Sequence, residues 1–157
     1  MPEPAPDGPL LFGCILNGEG SCQDVDWQTA RDWSPTRPGE TLWLHLDRMY
    51  EDLDDWLIDY LDLCEGTAEL LLSNETRPRA FREEESLITV LRGINFNPGA
   101  EPEDMIAMQV WCDGNRLITL RRRRLQTPRD IYKELQAGRG PCTAGDLFTA
   151  LAEQLVA

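Results

Sequence analysis

The chain holds a single histidine, His45, so any imidazole-based acid–base or metal chemistry has to be built around it. His45 lies in the apolar string Thr41-Leu42-Trp43-Leu44-His45-Leu46, with Asp47 two residues on and, in an extended strand, on the same face. An imidazole and a carboxylate are both ligand types for a divalent metal, which makes His45 and Asp47 the candidate metal residues. A closed site needs more donors to converge, and no third ligand stands at a recognised spacing. A packed core imidazole held by a hydrogen bond is therefore the favoured reading, and the metal ligands are left unknown beyond that pair.

Five cysteines, Cys14, Cys22, Cys64, Cys112 and Cys142, are scattered without a Cys-x-x-Cys pair and without a preceding signal peptide. This pattern points to reduced thiols packed as small apolar residues in a cytosolic setting. Nucleophilic catalysis has little to work with, because no Gly-x-Ser-x-Gly elbow is present and one histidine would serve every Ser or Cys. Gly138-Arg139-Gly140-Pro141 follows a predicted helix, whereas a phosphate-cradling glycine loop follows a strand. No catalytic residue, no cofactor-binding residue and no enzymatic activity is assigned.

Charge narrows the partners. The 157 residues carry 15 basic and 28 acidic side chains, a net charge of −13 that would repel a phosphate backbone, so nucleic acid is not expected as a partner. From Asp47 to Glu69 nine carboxylates stand against Arg48 alone. Carboxylates along one exposed helix face attract cations at long range but do not form a cage, so a solvated face is the favoured reading. The one basic run, Arg121 to Arg124, sits at a strand end without neighbouring aromatics, which suits a subunit contact or a charged strand end.

The elements that must position these residues read as one α/β domain. Met1 to Pro9 holds four of the eleven prolines and reads as a flexible leader, residues 1–9, ahead of a single domain over 10–157. Leu10 to Leu16, the Asn17-Gly18-Glu19-Gly20 turn and Cys22 to Trp27 predict a hairpin. Leu42, Leu44 and Leu46 alternate with Trp43 and His45, as in a strand buried on both faces. Tyr50, Leu53, Trp56, Leu57, Tyr60, Leu61 and Cys64 fall at helical spacing and predict one amphipathic helix with an acidic outer face. A short helix over Thr67 to Ser73 must end before Pro78.

Three strands follow, Ser86 to Ile94, Met105 to Cys112 and Arg116 to Arg122, with Arg79 to Glu83 as an added partner and Asp113-Gly114-Asn115 as a hairpin turn. Thr127-Pro128-Arg129-Asp130 starts a helix that stops at Gly138, and Thr143-Ala144-Gly145-Asp146 starts another with the stripe Leu147, Phe148, Leu151, Ala152, Leu155 and Val156. The expected architecture is an α/β/α sandwich around a mixed, largely antiparallel sheet of about seven strands. That last stripe reaches Ala157 in mid-pattern, so the natural polypeptide is expected to continue. No apolar run approaches the roughly 20 residues that span a bilayer.

Three strings, Trp43-Leu44-His45-Leu46, Glu75-Thr76-Arg77-Pro78-Arg79 and Leu87-Ile88-Thr89-Val90-Leu91-Arg92-Gly93-Ile94-Asn95, carry a family resemblance. With Asn97-Pro98-Gly99-Ala100, Met105-Ile106-Ala107-Met108, Leu117-Ile118-Thr119-Leu120-Arg121-Arg122-Arg123 and Gly138-Arg139-Gly140-Pro141, they run in order over roughly Leu42 to Ala157. The chain resembles the cytoplasmic N-terminal domain of ZntB-like zinc transporters in the CorA superfamily of divalent cation transporters. The Arg-Pro-Arg and Leu-Arg-Gly-Ile-Asn strings look more like the ZntB branch than like magnesium-type CorA proteins.

This resemblance implies a homopentamer whose α/β domains form a funnel on the cytoplasmic face of the inner membrane. A long stalk helix and two C-terminal transmembrane helices would follow. It implies Zn2+ as the transported ion, with a CorA-type Mg2+/Co2+ transporter as the alternative, and no cofactor is assigned. The family's Gly-x-Asn selectivity signature lies beyond this chain. A different class of reading is a free-standing domain that binds a small ligand or a partner protein.

Overall fold

The computed structural model describes residues 10–34, 39–60, 63, 65–72, 79–83, 86–93, 99, 106–121 and 126–155. The predicted leader, the Glu75-to-Pro78 and Asn97-Pro98 strings, Arg122 to Arg124 and the last two residues lie outside them.

Seven strands form one sheet in the order β2-β1-β3-β7-β6-β5-β4. They are β1 (Leu10–Leu16), β2 (Cys22–Asp24), β3 (Thr41–Asp47), β4 (Arg79–Glu83), β5 (Ser86–Gly93), β6 (Ile106–Cys112) and β7 (Arg116–Arg121). Every neighbouring pair is antiparallel except β3 and β7, which run parallel with His45 opposite Thr119 and Asp47 opposite Arg121. The parallel contact continues just before β7 through Leu42 N to Asn115 O and just after β3 through Arg48 N to Arg121 O, each 2.8 Å.

Helices cover both faces, which is why β3 is buried at every residue from Thr41 to Leu46. On one side Leu42, Leu44, Leu46, Ile118 and Leu120 pack beneath α1 (Trp27–Asp32), α2 (Leu53–Asp55), a π-helical turn (Trp56–Tyr60) and α3 (Glu65–Leu71). On the other side Cys14, Leu16, Trp43, Met108, Val110 and Leu117 pack beneath α4 (Gln126–Gln136) and α5 (Ala144–Leu155). This is the three-layer arrangement expected from strands with two apolar faces.

The terminal helices follow their local signals. Thr143 Oγ1 accepts from Asp146 N at 3.0 Å and satisfies a donor that the first turn of α5 leaves free. Gly138 ends α4 at φ +81°, the left-handed conformation that costs glycine no Cβ clash. α4 begins at Gln126, one residue before the predicted capping Thr127.

Two predictions are corrected. The strand expected over Cys22 to Trp27 ends at Asp24, because Asp26 Oδ1 accepts from Thr29 N at 2.8 Å and caps α1 instead. Within the described part of the helix expected from Tyr50 to Cys64 there are instead three α-helical residues and a π-helical turn; Leu61 and Cys64 lie outside the described residues. Like charges stand four residues apart at Glu51/Asp55 and Asp55/Asp59, with no basic residue among them, which weakens a regular α-helix there. The wider winding also changes the inward positions. Leu63, off the predicted stripe, is buried and its N bonds Leu57 O at 3.1 Å, whereas Tyr50 is 36% exposed.

Candidate functional site

His45 sits near the middle of β3 under α4, 1% exposed. Its Nδ1 lies 2.7 Å from Thr119 Oγ1 across the parallel pair, and the same oxygen accepts from Trp43 Nε1 at 3.1 Å. Thr119 Oγ1 in turn is 3.4 Å from Leu44 O. A hydroxyl has one proton and two lone pairs, so all these contacts are satisfied together only when His45 carries its proton on Nδ1 and Thr119 donates to Leu44 O. Nε2 is then a bare acceptor with no hydrogen-bond partner among the described residues. An unfilled acceptor is the cheaper of the two orphans, since an unpaired buried N–H is rarer in native structures.

The imidazole is neutral. Burial, with the charges of Arg121 and Arg129 adding to it, lowers its pKa from the ordinary 6.5 to about 3. Around it Phe12 forms the centre of an aromatic group: it stacks on Tyr132 at 4.4 Å, lies 5.0 Å from the His45 ring and meets Trp43 edge-on at 4.8 Å. Tyr132 OH donates to Asp24 Oδ1 and so ties α4 to the edge strand β2. A group that holds its proton state from acid to alkaline pH has no proton to exchange near neutrality, so this arrangement fixes the packing of β3, β7 and α4.

Asp47 is on the same face of β3 as His45, as the spacing predicts, but it has a different partner. Its Oδ1 accepts from Met49 N at 3.0 Å and closes the turn after the strand. Among the described residues no three His, Cys, Asp or Glu side chains are gathered as a metal-holding group.

The acidic segment is exposed, as its composition suggests: Glu51, Asp52, Asp54, Asp55, Asp59, Glu65 and Glu69 all face solvent. Asp54, with Asp52 and Asp59 farther off, raises the pKa of Asp55 above the usual carboxylate range. Asp52 adopts φ +65°, the left-handed region, at the start of α2. Beneath these carboxylates the segment is fastened by aromatic contacts, Trp27 to Trp56 at 4.5 Å and Tyr50 to Trp56 at 5.8 Å. Arg48, the lone cation of the stretch, donates from Nη2 to Leu72 O at 2.6 Å and anchors the end of α3.

The Phe12–Tyr132–Asp24 assembly was not legible in the sequence, because Asp24 and Tyr132 are 108 residues apart and no local pattern links them. The cap of α1 left a signal: Asp26 followed three residues later by Thr29 and by the buried pair Trp27 and Ala30.

An open cleft of about 460 Å3 lies between α4 and α5 and is lined by Asp130, Glu134, Arg139, Cys142 and Asp146 among others. A second, of about 540 Å3, runs from the β6–β7 hairpin to the start of α5 past Cys112 and Phe148. No helix among the described residues is long and apolar enough to cross a membrane.

Comparison with known proteins gives a consistent set of relatives. The family model described as CorA-like Mg2+ transporter protein matches residues 38–157. The divalent cation transporter CmaX of Pseudomonas aeruginosa is 42% identical over 147 residues, covering 93% of this chain and 44% of that relative. A solved structure of the full-length CmaX protein superposes with a TM-score of 0.89 at 41% identity, over 98% of this chain and 47% of that one. The ZntB cytoplasmic domain from Vibrio parahaemolyticus superposes with a TM-score of 0.81 at 26% identity, over 94% of this chain and 58% of the other. The chain thus spans about half the length of these relatives.

Proposed function

Because the chain belongs to the family of CorA-like Mg2+ transporter proteins, we propose that it is the cytoplasmic assembly and regulatory domain of a pentameric divalent cation transporter with Zn2+ as cargo. The observation that carries this reading is the 42% identity to a divalent cation transporter across 93% of the chain. In this reading residues 1–9 are a leader, 10–157 form one wall segment of a funnel on the inner-membrane side, and a stalk and two transmembrane helices follow α5. The share of the relatives that the chain leaves uncovered accommodates those parts.

The exposed carboxylates between Asp47 and Glu69 suit a funnel that gathers cations, since a dense acidic surface raises their local concentration without holding them. The likeness to a ZntB domain favours Zn2+, and the Mg2+ of the family description names the alternative. His45 and Asp47 are the residues to test for a metal contact within the domain.

Reconstitution of the full-length protein in liposomes loaded with a metal-sensitive dye tests the reading. Zn2+ entry or exit faster than that of Mg2+ or Co2+ is expected, together with a native mass of five chains. Absence of flux for every divalent ion would remove the transport reading, and Mg2+ outrunning Zn2+ would move the cargo to the alternative. Calorimetric titration with Zn2+ before and after Asp47→Asn checks the domain itself. Heat that survives the substitution unchanged takes Asp47 out of the ligand set.

A further inference from the structure

Two of the cysteines meet across the first hairpin. The register of β1 and β2 pairs Leu16 with Cys22 and Cys14 with Asp24, so Cys14 and Cys22 are diagonal neighbours on one face of the antiparallel pair. Cys14 is fully buried, and Cys22 is part-exposed at the start of the edge strand and packs against the same apolar cluster. Their chemistry is unequal. Interaction with the Cys14 thiol lowers the pKa of Cys22, while interaction with Cys22, with burial next, holds the Cys14 thiol well above its usual range.

We propose that Cys14 and Cys22 form a thiol–disulfide exchange site, in which Cys22 is the accessible attacking thiol and buried Cys14 the resolving one, with small disulfides as the oxidising co-reactant. Cys22 loses its proton to solvent and its thiolate attacks one sulfur of R–S–S–R. The S–S bond breaks, R–S⁻ leaves and takes up a proton, and a mixed disulfide remains on Cys22. Cys14, deprotonated as it reacts, then attacks Cys22 Sγ and expels the second R–S⁻, which is protonated in turn. Two cysteine thiols are oxidised by two electrons and one small disulfide is reduced to two thiols.

The placement of the pair makes the bond reversible. Diagonal neighbours in an antiparallel pair start with Cβ atoms up to about 7 Å apart, and a disulfide needs about 4 Å. Closure requires the three-residue strand β2 to shift toward β1, against the bonds that hold Gly20 and Asp24; among the described residues β1 is its one strand neighbour, so no second ladder opposes the shift. The strain of that shift raises the reduction potential, which is the property of labile rather than structural disulfides.

The shift would also be felt elsewhere. Gly140 N bonds Gly20 O at 2.8 Å, so the β1–β2 turn is held by the loop that joins α4 to α5. Asp24, two residues beyond Cys22, holds Tyr132 of α4.

The full-length protein, incubated with oxidised glutathione, quenched with acid, alkylated and digested, tests the site by mass spectrometry. The expected product is a Cys14–Cys22 linked peptide two hydrogens lighter than its reduced parts, with a loss of two free thiols per chain that dithiothreitol reverses. Cys14→Ser is expected to trap glutathione on Cys22, and Cys22→Ser to abolish exchange at Cys14. Failure to form the link under an excess of oxidant that modifies Cys142 overturns the proposal, and this wild-type readout holds whether or not either variant folds. Modification of Cys22 without onward transfer to Cys14 overturns it as well. Neither result depends on which ion the protein carries.

Discussion

The two faces of the sheet are covered by unlike means. Above Trp43 and Leu117 lie two ordinary helices, each with its own stop or start signal in Gly138 and Thr143. Above Leu44 and Ile118 lie a two-turn helix, three α-helical residues, a π-helical turn and another short helix. The second cover is held less by regular backbone bonding than by the Trp27–Trp56 contact and by Arg48 on Leu72 O. The difference shows what concentrated like charge does to a helix whose apolar stripe is otherwise sound: burial keeps the segment on the sheet, while repulsion and the missing i,i+4 partners deny it regular winding.

The contrast can be broken by paired truncations, where the largest effects are expected. Leu151→Ala on α5 and Leu57→Ala in the π-helical turn each remove a fully buried side chain. Leu151→Ala should cost about 3–5 kcal/mol and Leu57→Ala about 2–3 kcal/mol, because the irregular cover collapses more readily onto the cavity. Urea denaturation of both variants measures this, and a reversed order would mean that the irregular face is the more rigid one.

Gly140→Ala probes the loop between the regular helices. An added Cβ would lie 2.9 Å from Leu135 Cα and closer still to its side chain, so overpacking of about 1–3 kcal/mol is expected from the same denaturation assay. Gly114→Ala meets nothing within 4 Å and carries only the strain of φ +97°, about 1 kcal/mol. Equal losses at the two glycines would show that backbone conformation, not the close approach of Leu135, governs both sites.

These loop and helix elements were legible because their causes are local. Strands β3 to β7 are recognisable from patterns within five to eight residues and from turn residues such as Asp113, whose Oδ1 accepts from Asn115 N and Arg116 N at 3.0 and 2.7 Å. His45 was legible as a core imidazole, but its partner Thr119 lies 74 residues away on a strand whose parallel pairing no local pattern announces. Cys14 and Cys22 fall on the two strands of the predicted hairpin, but their diagonal contact depends on a register that a spacing rule does not contain.

A pH titration of stability sharpens the comparison on the regular face. His45 has a folded pKa of about 3 against 6.5 unfolded, so the unfolded chain binds the proton more readily between these values. Its contribution is complete above about pH 6.5 and is lost as pH falls toward 3, at up to about 1.4 kcal/mol per pH unit. His45 is the sole histidine, and His45→Asn, whose amide can still donate to Thr119, should flatten that slope between pH 6.5 and 5. An unchanged slope would place the titrating group elsewhere.

The smallest effect belongs to the irregular face. Asp54 and its neighbours raise the pKa of Asp55, which marks repulsion that salt should relieve. Asp55→Asn should raise the thermal midpoint slightly at low ionic strength and not at high. A gain that persists in high salt would point to a cause other than charge.

By itself the sequence determined the layer plan, the strands beyond residue 40, the two capped helices and the exposed acidic stretch, because alternation, capping and charge act over a few residues. The family resemblance was carried by the order of short strings. Only the tertiary structure decided the parallel join of β3 to β7, the winding of residues 53–60, the neutral His45 locked to Thr119, and the meeting of Cys14 with Cys22. Each of these depends on which distant surface a residue is packed against, and burial and register are properties of the folded chain as a whole.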